Sequence, residues 1–196
     1  MRRRDLLASM GAGSVSSLAG CLREIEISPA SESVNSSDGP VGATPAEIHE
    51  QPCPPYETTR DSAVCSHTVD TDTAAVYLEP SIEHSTLNNG EPVEDISLAL
   101  HNQSTSELTF NPHSWIVWHT VDTEWERVQS ELSGDGSLTV SPEETQLWSL
   151  AGVLESIQME PSLEPGLYGL ELGVPAPQAS DQWIACVALV HFDAAQ

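Results

Sequence analysis

From residue 74 to the C-terminus the chain runs in short segments that alternate apolar with polar residues or stay apolar throughout. Turn-forming clusters such as Asn88-Asn89-Gly90 and Gly134-Asp135-Gly136 separate them. A period of two belongs to a strand, because successive side chains leave a pleated backbone on opposite faces. The segments 74–79, 95–102, 106–110, 113–120, 124–129, 137–140, 144–150, 167–174 and 183–192 are therefore read as strands, and only 151–158 has the texture of a helical turn or two. Many short strands without a long helix predict an all-β domain of about seven to nine strands, folded as an antiparallel β-sandwich.

Within 95–102, Ile96, Leu98 and Leu100 share one face while Asp95, Ser97 and His101 share the other, so this strand has a dry and a wet side. Residues 184–190 (IACVALV) are apolar on both faces, which places them mid-sheet or under a covering loop. Trp115 and Trp118, three apart, point to opposite faces of their strand, so at most one points inward. Core or inter-sheet packing is preferred for Trp115, Trp118, Trp125, Trp148 and Trp183 over an exposed sugar- or peptide-binding platform. Leu163, Pro165, Gly166 and Tyr168, in the run LEPGLY, resemble the tyrosine corner of immunoglobulin-like sandwiches. That resemblance gives the Tyr168 hydroxyl a backbone partner near Leu163 and a structural role.

The N-terminal segment has a different texture. Arg3 and Arg4 followed by Leu6 and Leu7 resemble a twin-arginine export signal, and Leu18-Ala19-Gly20-Cys21 resembles a lipobox whose cysteine becomes the lipidated N-terminus. The stretch Leu6–Ala19 is too short and too rich in Gly and Ser to span a hydrocarbon layer of ~30 Å. The expected location is the outer face of the cytoplasmic membrane, tethered by lipid. Residues 22–52 mix Ser, Pro, Gly and Glu without a sustained period, the composition of a disordered, solvated tether. The expected plan is a signal segment at 1–21, a linker with a cysteine loop at 22–72, and the sandwich at 73–196. Asn35 and Asn102 fit the glycosylation acceptor pattern.

The formal net charge is −24, and lysine is absent. Loss of residues 1–20 removes Arg2, Arg3, Arg4 and Asp5, leaving 29 acidic side chains against 3 basic ones. Such a surface repels itself in dilute buffer and is screened within roughly 3 Å at molar salt. The composition resembles that of proteins from salt-loving archaea, and with the export motifs it resembles a haloarchaeal twin-arginine-exported lipoprotein. Acidic solvated surface is the preferred reading of the carboxylates over calcium ligation or carboxylate catalysis. Nucleic acid and anionic lipid headgroups are disfavoured as partners, because the chain has too few cations to neutralise phosphates, and no nucleic-acid partner is expected.

With Cys21 committed to lipid, Cys53, Cys65 and Cys186 remain in an oxidising exterior. Cys53 with Cys65 is the preferred disulfide, a small loop in the lead-in; Cys65 with Cys186 is the alternative. Cys186 and His191 invite a blue-copper reading, but the interval between them reads as strand and no Met follows. His113 and His119, on one face of a strand, lie about 20 Å apart at ~3.4 Å per residue and cannot share a metal. No nucleophile elbow, phosphate-cradling loop or zinc-protease helix occurs in the sequence. The expectation is therefore no catalytic residue, no cofactor and no metal.

The stretch from Leu98 to Val128, the Leu147-Trp148 strand and LEPGLYGLEL together resemble a bacterial and archaeal immunoglobulin-like domain of secreted and lipid-anchored proteins, over roughly residues 76–192. The resemblance describes fold and brings no catalytic residues with it. It implies a non-enzymatic surface protein that binds or organises an envelope or extracellular protein or glycan. A cupredoxin-like copper carrier and a protease-inhibitor-like module are the alternatives.

Overall fold

A computed structural model of the protein describes residues 48–56, 59–129, 134–159 and 162–195. Arg3, Arg4, Cys21, Asn35 and the tether as far as residue 47 lie outside the described residues. The described residues all fall within one compact unit, 39–196.

The nine expected strands are present, with ends shifted by a few residues at most. They are β2 (Val76–Pro80), β5 (Ser97–Asn102), β6 (Leu108–Phe110), β7 (Trp115–Val121), β8 (Glu124–Gln129), β9 (Leu138–Val140), β10 (Thr145–Ser149), β11 (Gly166–Ala176) and β12 (Ala179–Ala194). Three more were not expected: β1 (Ser62–Cys65), β3 (His84–Asn88) and β4 (Glu91–Pro92). One helix, α1 (Leu150–Ser156), follows β10 directly. Ser149 caps it, its side chain accepting the Gly152 N–H at 3.1 Å, and Leu150, Val153 and Leu154 face inward.

β12 organises the larger sheet, whose order is β4-β3-β12-β11-β7-β8. β12 pairs antiparallel with β11 along nearly the whole length of that strand. On its other edge it carries β1 at Ile184–Val187 and β3 at His191–Ala194, both parallel. These two parallel pairings depart from the wholly antiparallel expectation, because β1 and β3 arrive from distant parts of the chain rather than through hairpins. The Asn88-Asn89-Gly90 turn joins β3 to β4 with φ of +54° at Asn89 and +84° at Gly90, the left-handed pair a tight hairpin requires. A second sheet, β10-β5-β2, and a two-stranded ribbon, β6-β9, form the opposing layer.

Alternation now decides burial. The inner core takes Val76, Leu78, Leu98 and Leu100 from the smaller sheet, Trp115 and Val117 from β7, Tyr168 to Val174 at alternate positions of β11, and Cys186, Ala188, Val190 and Phe192 from β12. The outer face of β12 is also dry: Ala185, Val187 and Leu189 join Leu167, Ile48 and Cys65 in a second cluster. The apolar-on-both-faces segment is thus both central and covered, with the lead-in as its cover. From Ile48 onward the segment expected as linker packs on the sandwich, Ile48 and Cys65 covering the second face of β12. The Cys53–Cys65 disulfide forms, with Cα atoms 6.2 Å apart, and pins this cover; Cys186 is the free, buried cysteine.

Candidate functional site

Among the described residues, two places are singled out for chemistry and access. The larger is a groove of about 840 Å³ between β4, the start of β5 and α1. Ile96, Leu150, Ala151, Leu154 and Met159 make it apolar, and Glu91, Glu94, Asp95 and Glu155 rim it with carboxylates. Local structure explains the shape: the Leu150 N–H donates to the Ile96 carbonyl at 2.8 Å, which ties the first turn of α1 to the segment leading into β5. The hydroxyl of Ser85 donates to the Glu94 carboxylate and holds the rim against β3. Among the described residues, no basic side chain lines the groove.

The second place is on the outer face of the larger sheet. His84 of β3 lies directly opposite His191 of β12, and Asp193 follows two residues along on the same face. The two imidazoles are 5.5 Å apart, and His191 Nδ1 sits 3.7 Å from Asp193 Oδ1. One ligand atom from each of the three falls within 4.8 Å of the others. Sequence reasoning missed this trio. Its local trace is His191-x-Asp193, and the third member arrives only through strand register.

The remaining expected residues are placed as follows. Cys186 points into the inner core and His191 to the opposite face of β12, so the two do not converge on one ion. Burial, and then the nearby Glu171 carboxylate, push the Cys186 thiol up to about 12, which leaves it protonated and inert at neutral pH. His119 stacks on Tyr168 at 4.4 Å, and His113 lies in the loop before β7. The Tyr168 hydroxyl accepts the N–H of Glu164 at 3.0 Å. Pro165 and Gly166 form the turn between them, Gly166 at a φ of +144° and Leu163 buried.

Trp115 enters the inner core, edge-on to Trp148. Trp118 faces the other way yet is buried too, its indole N–H donating at 2.9 Å to Glu171 under the lead-in. Trp125 donates to the Pro52 carbonyl at 3.0 Å, and Trp183 carries the Arg60 guanidinium 5.5 Å from its ring centre. No shared tryptophan platform results.

Asn102, a possible glycosylation site by its sequence pattern, lies inside the fold. It is 1% exposed, and its Nδ2 faces the carbonyls of Ser106, Val140 and Ser141 at 2.8, 3.1 and 3.0 Å. A glycan on that nitrogen has no room in this fold. The acceptor pattern is met here by a structural asparagine.

No family model matches the sequence, and no curated protein matches it. Among solved structures, the chain is similar to a structural-genomics target at 10% identity and a TM-score of 0.34, over 59% of this chain and 81% of that one. It is also similar to a β-glucosidase from Listeria innocua at 18% identity and a TM-score of 0.29, over 61% of this chain but only 16% of the enzyme. The ASH/PapD-like domain of human CEP192 is similar at 15% identity and a TM-score of 0.27, over 67% of this chain and 96% of that domain. Likeness at this level carries no function across. The sandwich rests on this chain's own strand pairing and two-layered core.

Proposed function

We propose that the protein is a lipid-anchored, non-enzymatic binding module of the cell surface, and that its groove takes an apolar segment of a partner polypeptide flanked by arginine or lysine. The observation that carries this reading is the groove itself: an apolar floor inside a ring of four carboxylates, with no cation among its described lining residues. Apolar side chains on a guest leave water on that floor. Positive charge on the guest meets the rim, and a like-charged guest is repelled. Attachment to the membrane is supported by the resemblance of Arg3, Arg4 and the Leu18–Cys21 motif to an export signal and a lipobox. Electron transfer through Cys186 is disfavoured by the opposite facing of Cys186 and His191 on β12.

Two synthetic peptides test the groove: a leucine-rich core flanked by arginines, and the same core flanked by glutamates. The arginine form is expected to bind the wild-type chain, weaken as salt rises, and lose at least about tenfold in affinity with Ala151→Arg or Met159→Arg, both at exposed or half-exposed positions of the lining. Equal binding of both peptides, or binding indifferent to both substitutions, overturns the assignment. Expression of the full chain tests the anchor separately: Cys21→Ala should release the protein from the membrane fraction, and retention of the variant there refutes lipid attachment.

A further inference from the structure

We infer that His84, His191 and Asp193 form a binding site for a divalent transition-metal ion of the zinc class, on the outer face of the larger sheet and apart from the groove. Two imidazoles and one carboxylate are a recurrent ligand set for zinc, and they favour such an ion over calcium or magnesium, which prefer all-oxygen shells.

The placement is built into the pairing of the strands. Parallel register sets His84 beside His191, and the pleat sets Asp193 on the same face two residues on. Ligand atoms around a tetrahedral ion with bonds of about 2.0–2.2 Å lie roughly 3.3–3.6 Å apart. His191 Nδ1 and Asp193 Oδ1 are already at 3.7 Å, and all three ligand atoms lie within 4.8 Å of one another, so small side-chain rotations close the set. Strand ends, not loops, hold the two histidines.

An independent observation points the same way. The Nε2 atom of His84 is buried and has no hydrogen-bond partner among the described residues. A buried ring nitrogen without a partner is disfavoured, and a bond to a metal satisfies it. The His191 side chain is 7% exposed whereas that of Asp193 is 48% exposed, so the site is walled on the sheet side and open to water on the other. Three protein ligands with an open fourth position describe an ion that retains a water or accepts a ligand from outside. The chain's net charge of −24 draws cations toward every part of its surface, this one included.

The test uses untagged full-length protein freed of metal by chelation, titrated with zinc(II) or cobalt(II) in the presence of excess magnesium to occupy surface carboxylates. The expected result is one equivalent bound per chain and the visible absorption of a tetrahedral cobalt(II) site. Zinc should also raise the melting temperature, since an ion bound only by the native state stabilises it. His84→Ala and His191→Ala should each weaken binding by at least about 100-fold, more than loss of an outer-shell partner does. Asp193→Asn, at a half-exposed position where folding is safe, should weaken it by roughly tenfold. Absence of stoichiometric uptake by the wild-type chain overturns the site. Uptake that survives both histidine substitutions overturns it too, since the ions are then on surface carboxylates or other side chains.

Discussion

At the scale of single residues, the described part of this fold spends its buried polar groups on joining segments that no hairpin connects. Asn102 is the clearest instance, since its side chain meets carbonyls at the end of β9 and in the following turn while its own Oδ1 accepts from Ser104. It links the end of the smaller sheet to the β6-β9 ribbon. Replacing it leaves those carbonyls buried without donors, a cost of about 1–3 kcal/mol for a neutral group. Asn102→Ala is accordingly expected to lower the urea midpoint by an amount corresponding to that range. An Asn102→Ala variant as stable as the wild type would mean that water replaces the amide at no cost. Intact mass of the protein from its native cell addresses the same residue from the other side, and a glycan found at Asn102 contradicts the burial described above.

At the scale of elements, the lead-in shows how a polar, proline-containing segment becomes part of a core. Cys53–Cys65 closes a loop across a separation of 12 residues and fixes β1 against β12. Arg60 reaches the fully buried Glu171 at 3.9 Å and lies flat on Gly173, where any β-carbon would collide with the guanidinium. A link of this loop length is worth about 3 kcal/mol, largely by restricting the unfolded chain. The paired Cys53→Ser, Cys65→Ser variant should lose about that much stability and expose the β1 amides to hydrogen exchange. Unchanged protection of β1 would show that burial of Ile48 and the Arg60–Glu171 contact suffice without the link.

The same elements explain what was legible beforehand. Alternation and β-branched runs marked nine strands, including β12, whose two apolar faces announced a covered central strand. β1 is only four residues long and β3 has Leu87 as its one apolar residue, so neither shows a marked pattern, and both become strands by pairing in parallel with β12, a long-range fact absent from any local window. The functional surfaces were hidden for a related reason. The groove assembles residues 91–97 with residues 149–159, and its carboxylates read singly as solvated surface. His84 meets His191 only through register.

At the scale of the whole molecule, charge sets the terms on which the sandwich is stable. A net charge of −24 on 196 residues, without one lysine, leaves few local cations to offset the carboxylates, and one of the few arginines, Arg60, is committed to buried Glu171. Repulsion is therefore long-ranged in the folded state and partly relieved by expansion. Raising ionic strength from 0.1 to 1 M shortens the screening length from about 10 to about 3 Å, which removes most interactions between separated exposed charges. The urea midpoint should consequently climb steeply over that interval and flatten above it, and urea is the right denaturant because guanidinium would itself screen. Potassium chloride and choline chloride should act alike if screening is the cause, since choline shares the charge of potassium and not its coordination chemistry. A midpoint that ignores salt removes the electrostatic argument. A midpoint that responds to potassium and not to choline replaces screening with specific cation binding to the acidic surface.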